Sequence, residues 1–204
     1  MRDSTTWMWI AASAGWAYAA GSVNLTVLAA RVLRVQGLRE TGSKNPGVTN
    51  LFRIAGAKVA VPVLVLEMAK AFAVAVPVRL LAPPEAHVLW ILPFLLGNLF
   101  PIFHGFRGGK GVSSAVGALF AADYRIMLLG GCGFILMFAL FRRVSLGSLF
   151  MALCWPMLIA LFYGPGIFFA VGSFVTIIIF ITHRENIRRL LAHEEAPVRR
   201  NARS

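Results

Sequence analysis

The sequence predicts an all-α integral membrane protein: a bundle of seven transmembrane helices with a short fourth helix, its N-terminus outside the membrane and its C-terminus in the cytoplasm. Three observations predict it. Of 204 residues, 58% are hydrophobic and only 14% are charged, and the mean hydropathy is +0.75, more apolar surface than a soluble core of this size hides. The apolar residues come in long runs parted by short polar stretches, the pattern of helices crossing about 30 Å of hydrocarbon. The basic residues are also lopsided. With seven crossings, 16 Lys and Arg fall on the side of the C-terminal tail against three on the other, with Lys70 inside a span; without the short fourth crossing the division is 9 against 10. Cytoplasmic loops carry the Lys/Arg excess, so the bias selects seven crossings and sets their direction.

The first span runs from about Trp7 to Ala30 without a charge, and Gly15, Ala19, Gly21 and Ser22 offer small faces for close helix contact. Arg2 is offset by Asp3, so the start lacks the basic region of a cleavable signal peptide and the run is read as the first span. A basic loop follows, with Arg31, Arg34, Arg39, Lys44, Arg53 and Lys58 around the polar stretch 41–50. The second span covers roughly Val59 to Val78 and the third Val88 to Phe103, joined by a reversal at Leu81-Ala82-Pro83-Pro84-Glu85. Next come the loop Phe106-Arg107-Gly108-Gly109-Lys110-Gly111, the short run Val112–Ala122, and the polar break Asp123-Tyr124-Arg125. Eleven helical residues reach only about 17 Å. A crossing there implies a thin place in the bundle, where irregular backbone sits at membrane depth only if it lines protein or water. A span from Ile126 to Phe141, a link at 142–148, a span to about Phe162, a turn at Tyr163-Gly164-Pro165-Gly166 and a last span to Thr182 complete the set. Residues 1–190 read as a single transmembrane domain and 191–204 as a basic cytoplasmic tail.

The net charge of +12 does not point to nucleic acid, because the cations lie in short loops between apolar runs, where they orient helices and attract anionic lipid. Cys132 and Cys154 both fall inside apolar runs, which suits packing rather than a disulfide framework or a metal site. No metal cluster or cofactor is expected. The five tryptophans read as interface belt and packing.

This topology puts every polar cluster on one face. In the loop 106–111, glycines allow backbone N–H groups to turn toward a ligand, a helix begins just beyond, and Arg107 and Lys110 supply positive charge. The loop suits an anion, phosphate first; it also suits a polar turn between spans. It is not a Walker loop, since His104 and Gly111 stand where that pattern needs Gly and Ser or Thr. Ser43, Asn45, Thr49, Asn50 and Arg53 add donors for phosphate or hydroxyl, and Ser145, Ser148, His183 and Asn186 face the same way. His183 is a candidate general base near neutral pH and equally an interfacial histidine of a basic tail. His104, His87 and His193 have weaker claims. Glu67 and Lys70 lie one helical turn apart inside the second span and are expected to pair, either as part of a site or as a lock for the bundle.

The stretches Gly42-Ser43-Lys44-Asn45-Pro46-Gly47-Val48-Thr49-Asn50 with Arg53, Phe106-Arg107-Gly108-Gly109-Lys110-Gly111-Val112, Ser145-Leu146-Gly147 and His183-Arg184-Glu185-Asn186-Ile187 resemble, in order, the motifs of the bacterial acyl-phosphate:glycerol-3-phosphate acyltransferases (PlsY type). The resemblance covers nearly the whole chain. It implies a seven-helix enzyme of the bacterial inner membrane with its site facing the cytoplasm. The enzyme would move an acyl group from acyl-phosphate to the sn-1 hydroxyl of glycerol-3-phosphate, giving lysophosphatidic acid and phosphate for phospholipid synthesis. It implies His183, Asn186, Lys110 and Ser43 as catalytic positions. Asn45, Thr49, Asn50, Arg53, Arg107, Gly108, Gly109, Gly111 and Ser145 would bind phosphate and substrate. The implied partners are the two substrates and membrane lipid, with no nucleic acid; oligomeric state is left open. This chain departs from the family where it has Lys44 for Gly, Glu67 for Asp, Ala71 for Gly, Asn98 for His and Thr182 for Arg. The rival reading is a non-catalytic membrane protein that binds or moves a phosphorylated metabolite or anionic lipid; no internal repeat of the kind many carriers show is visible.

Overall fold

The computed structural model describes residues 4–84 and 86–197; Arg2, Asp3, Glu85 and the end of the tail, with Arg199, Arg200 and Arg203, lie outside that range. The described residues form helices and connecting turns, without a strand, grouped in two compact units, Met1–Tyr124 and Arg125–Ser204. The first unit holds α1 (Ser4–Ser22), α2 (Leu25–Val32), α3 (Val48–Ala55), α4 (Ala57–Leu81), α5 (Ala86–Leu89), α6 (Ile91–Leu99), a 3-10 turn at Ile102–His104, and α7 (Val112–Ala122). The helices of the second are α8 (Tyr124–Phe141), α9 (Val144–Tyr163), α10 (Ile167–Thr182) and α11 (Arg184–Leu191).

Among the described residues four stretches are long and apolar enough to cross a membrane: Ala57–Leu81, Ala86–His104, Tyr124–Phe141 and Val144–Tyr163. Ile167–Thr182 and Arg184–Leu191 pass the same test only as a pair, bent by 61° at His183, a broken span or a re-entrant turn. Of the other two expected crossings, α7 has the expected bounds but is short, and α1 is long enough but diluted by Ser, Thr and Gly.

The stretch read as the first span, from about Trp7 to Ala30, is not one helix. α1 stops at Ser22, two residues intervene, and Asn24 starts α2 by accepting the Val27 N–H on its Oδ1 at 2.9 Å. Asparagine is a strong N-cap, because its side chain replaces the acceptor that the first helical turn lacks. The Glu67–Lys70 pair on α4 meets this break. The two side chains are 2.9 Å apart and almost fully buried. Lys70 Nζ donates to the Val23 carbonyl at 2.6 Å and the Gly21 carbonyl at 3.5 Å, while Glu67 Oε1 accepts the Thr26 N–H at 3.2 Å. One cation thus serves the carbonyls at the end of α1, and one anion an amide at the start of α2. A helix break at hydrocarbon depth is tolerated only when such groups are satisfied within the protein.

Glycines set the closest helix approaches. A Cβ at Gly21 of α1 would strike the Phe94 backbone of α6, and one at Gly97 of α6 would strike the Tyr18 and Ser22 backbone of α1. At the same crossing the Tyr18 hydroxyl donates to the Phe100 carbonyl at 2.7 Å, closing the end of α6. α7 lies against α4, with Gly117 over the Met68 backbone and Phe120 edge-on to Phe72 at 5.5 Å. Arg79 of α4 donates to the last carbonyl of α7, Ala122, at 3.3 Å.

In the second unit α9 begins at Val144, so Ser145 and Ser148 stand inside its first turns and not in a link running to 148. Gly147 lies beside Phe134 and Gly130 beside Trp155, which holds α8 on α9. Pro156 removes the N–H that would bond the Ala152 carbonyl. The Thr176 hydroxyl of α10 supplies the missing donor at 2.7 Å.

Candidate functional site

The first unit carries Ser43, Asn45, Thr49, Asn50, Arg53, Arg107, Gly108, Gly109, Lys110 and Gly111; the second carries Ser145, His183 and Asn186. Each set has its own scaffold.

The loop 37–50 is braced by Asn50, which is 1% exposed. Its Nδ2 donates to the Leu38 carbonyl at 2.8 Å and the Thr41 carbonyl at 3.1 Å, and its Oδ1 accepts the Ser43 N–H at 2.9 Å. Asn50 therefore holds the loop's shape and presents Ser43. Gly42, at φ +63°, sits directly against that Oδ1, where any side chain would collide. Asn45 is different: its Oδ1 is buried and has no partner among the described residues. The space beside it is kept open by Gly47 and Gly109, whose missing Cβ atoms would lie 3.7 and 3.6 Å from that oxygen. Thr49 is half-buried on the first turn of α3, and Arg53 is exposed at its end.

A second loop stands beside the first. Arg39 Nη2 donates to the Arg107 carbonyl at 2.9 Å, which ties the two motif loops together. Gly108 and Gly109 direct their N–H groups at the Leu99 and Asn98 carbonyls, at 3.0 and 3.3 Å, and so cap the end of α6. Gly108 is pressed on that backbone so closely that a Cβ would overlap the Asn98 carbonyl. The first turn of α7, N-capped by Gly111 at φ +83° without a side-chain cap, offers N–H donors suited to an anion. Arg107 is exposed and Lys110 half-buried on the approach to that turn.

In the second unit, His183 is both the end of α10 and the start of α11. Its ring is 4% exposed, and Nδ1 lies 2.8 Å from the Ile179 carbonyl. A carbonyl only accepts, so Nδ1 carries the hydrogen and the neutral ring has its lone pair on Nε2. Ser145, on the first turn of α9, and Asn186, on the first turn of α11, converge on one group, the carboxylate of Glu195. Ser145 Oγ donates to its Oε1 at 2.5 Å, and Asn186 Nδ2 lies 3.2 Å from both oxygens. Arg143 Nε holds the Glu195 carbonyl at 2.9 Å, and the Arg189 carbonyl accepts the Glu194 and Glu195 N–H groups. Glu195 is 6% exposed. It was not singled out in the sequence, where it lies in the stretch read as tail; the only signal was an acidic pair, Glu194-Glu195, in basic surroundings.

The arrangement can do two things chemically. The first unit offers cations, hydroxyls and an uncapped helix start, a combination that binds phosphate. The second offers a hydroxyl, an amide and an imidazole of defined tautomer, a combination that can orient a hydroxyl and accept its proton.

Comparison with known proteins gives one family, described as glycerol-3-phosphate acyltransferase, whose model matches residues 11–193. A glycerol-3-phosphate acyltransferase of Actinobacillus pleuropneumoniae is 36% identical over 187 residues, 89% of this chain and 92% of that protein. One of Thioalkalivibrio sulfidiphilus is 34% identical over 186 residues, 89% of this chain and 90% of that one. Among solved structures, the chain is similar to PlsY, an integral membrane glycerol 3-phosphate acyltransferase. In the glycerol 3-phosphate form the TM-score is 0.87 at 30% identity, with 93% of this chain and 96% of that chain covered. In the lysophosphatidic acid form it is 0.85 at 29% identity, with 93% and 95% covered.

Proposed function

The chain belongs to the glycerol-3-phosphate acyltransferase family, and we propose that it transfers an acyl group from acyl-phosphate to the sn-1 hydroxyl of glycerol-3-phosphate, releasing lysophosphatidic acid and inorganic phosphate. The observation that carries this reading is the family match over residues 11–193, which contains all four motif stretches. Likeness to PlsY in its glycerol 3-phosphate and lysophosphatidic acid forms supports the acceptor and the product. The acyl-phosphate donor rests on the motif resemblance and on chemistry. Phosphate is a good leaving group, so the reaction needs placement and charge neutralisation rather than a covalent enzyme nucleophile.

In the reaction the sn-1 oxygen bonds to the acyl carbon, the bond from that carbon to the phosphate oxygen breaks, and the hydroxyl proton leaves. Lys110, Arg107 and Arg53, with the start of α7, neutralise phosphate; Ser43, Asn45 and Thr49 direct hydroxyl and phosphate oxygens, and Ser145, whose hydrogen goes to Glu195, accepts from a substrate hydroxyl. Asn186 orients the acceptor, and the proton goes to His183 Nε2 or to a substrate phosphate oxygen. Asn50, Gly108, Gly109 and Gly111 shape the backbone that presents these groups. The seven-crossing topology, with the N-terminus outside and this site on the cytoplasmic face of a bacterial inner membrane, is supported by the Lys/Arg bias and by the apolar helices. On this reading residues 1–190 form the transferase domain, with Glu195 reaching back into it from the tail.

The test is phosphate release by the purified protein in lipid, given palmitoyl-phosphate with and without glycerol-3-phosphate. Release that depends on glycerol-3-phosphate and yields lysophosphatidic acid is expected, and Lys110→Ala is expected to abolish it. Near-normal transfer by that variant would remove the loop from the mechanism, and absence of acceptor-dependent release in the wild type would overturn the activity.

A further inference from the structure

Glu67 and Lys70 lie outside the four motif stretches, yet they are a buried ion pair inside a membrane span, and such pairs are costly unless they serve something. What they serve is visible in their remaining bonds. Lys70 takes the carbonyls of Gly21 and Val23, Glu67 takes the N–H of Thr26 at 3.2 Å and approaches its hydroxyl at 3.5 Å, and Lys70 also lies 5.4 Å from the centre of the Phe94 ring. Between these anchors stands Asn24, 2% exposed, with its Oδ1 capping α2 and its Nδ2 directed at the Pro46 carbonyl at 3.5 Å.

Pro46 lies between Asn45 and Gly47, in the middle of the loop that carries Ser43, Asn45 and Thr49. A second route joins the same places. Val27 and Ala30 of α2 share one buried apolar cluster with Leu38, with Val48 and Leu51 of α3, and with Ala60 and Val63 of α4. The direction in which α2 leaves the break therefore sets the floor on which α3 and the loop before it rest.

We infer that Glu67 and Lys70 are positioning residues for acceptor binding: the pair fixes the break between α1 and α2, and through Asn24 and α2 it fixes the Ser43–Asn50 loop. The effect is on the placement of phosphate and hydroxyl donors, not on the reacting atoms. It rests on the activity proposed above. Neutral apolar replacements cannot do the same work, since they leave the Val23 carbonyl and the Thr26 N–H without partners in hydrocarbon. Lys70→Arg keeps the charge and the reach.

The experiment has two arms. Hydrogen exchange of the substrate-free protein is followed over residues 22–30 and 43–50, and steady-state transfer is measured with each substrate varied in turn. Lys70→Met and Glu67→Gln are expected to speed exchange in both segments. They should raise KM for glycerol-3-phosphate about tenfold, with KM for the acyl-phosphate within twofold of wild type, and Lys70→Arg should return both readings toward wild type. Asn24→Ser keeps an N-cap hydroxyl for α2 but is too short to reach Pro46; it should loosen 43–50 while leaving 22–30 protected, and it serves where Lys70→Met fails to fold. Faster exchange confined to 22–30 with unchanged KM would overturn the inference and leave the pair as a lock for the span alone. Wild-type protein without transfer activity would sink the proposed function, and the exchange arm would still decide whether the pair governs the loop.

Discussion

Two polar side chains that sequence reasoning grouped as ligand contacts have different duties. Asn50 makes three hydrogen bonds to its own loop, whereas Asn45 keeps a buried oxygen without a partner among the described residues. Composition could not separate them, because the difference lies in which way a side chain turns at the end of a folded loop. Glu195 was hidden for a related reason. Its partners Ser145 and Asn186 are 50 and nine positions away in the chain, and nothing local marks a tail glutamate as buried. Removing it takes away the acceptor of the buried Ser145 hydroxyl and one contact of the Asn186 amide, and a buried hydroxyl left unsatisfied costs about 1–3 kcal/mol. Glu195→Ala should therefore lower kcat for transfer at least tenfold, and Glu195→Gln, which keeps one acceptor oxygen, should fall between it and wild type. An unchanged rate in the alanine variant would mean that Ser145 and Asn186 hold their places without it. Lys44 illustrates a departure with a backbone cost. Its φ is +55°, in the left-handed region that glycine occupies freely, and glycine is the residue expected there from the family pattern.

At the scale of elements, the helix that length made doubtful was the most legible. α7 runs from Val112 to Ala122, the bounds of the apolar run itself; Gly111 serves as its N-cap, and the extended Asp123 parts it from α8 at Tyr124. The break between α1 and α2 was illegible for the opposite reason. Hydropathy runs through Val23 and Asn24 without a charge, and the groups that make the break possible are on another helix more than 40 positions later. Proline in α9 has the same logic, since its consequence is read on α10. Thr176→Val removes the donor to the Ala152 carbonyl at nearly constant volume, so it should destabilise the second unit by about 1 kcal/mol, within the range measured for interhelical hydrogen bonds in membranes. Thr176→Ser should retain most of the stability. Thermal unfolding in detergent decides it; equal midpoints for valine and threonine would show that the carbonyl is satisfied in some other way.

For the whole molecule, composition carried the class and the charge bias carried the proposed orientation, because lipid imposes both on any chain. The mutual support between loops was not accessible from sequence: Arg39 reaching the Arg107 carbonyl, and Gly108 and Gly109 capping α6, depend on tertiary contact. α7 has eleven residues, about 17 Å of helix, so on the seven-crossing reading the bilayer must pinch beside it or the protein must shield its ends, as Arg79 does at Ala122. Hydrophobic mismatch costs fractions of a kcal/mol per Å, and thickening the surrounding lipid increases it. Transfer in vesicles of phosphatidylcholine should then fall as the acyl chains lengthen from 14 to 22 carbons, whereas indifference to chain length would argue that α7 does not cross. A catalyst that lays down lipid in this way would work against a bilayer grown too thick, and its shortest crossing would act as the gauge.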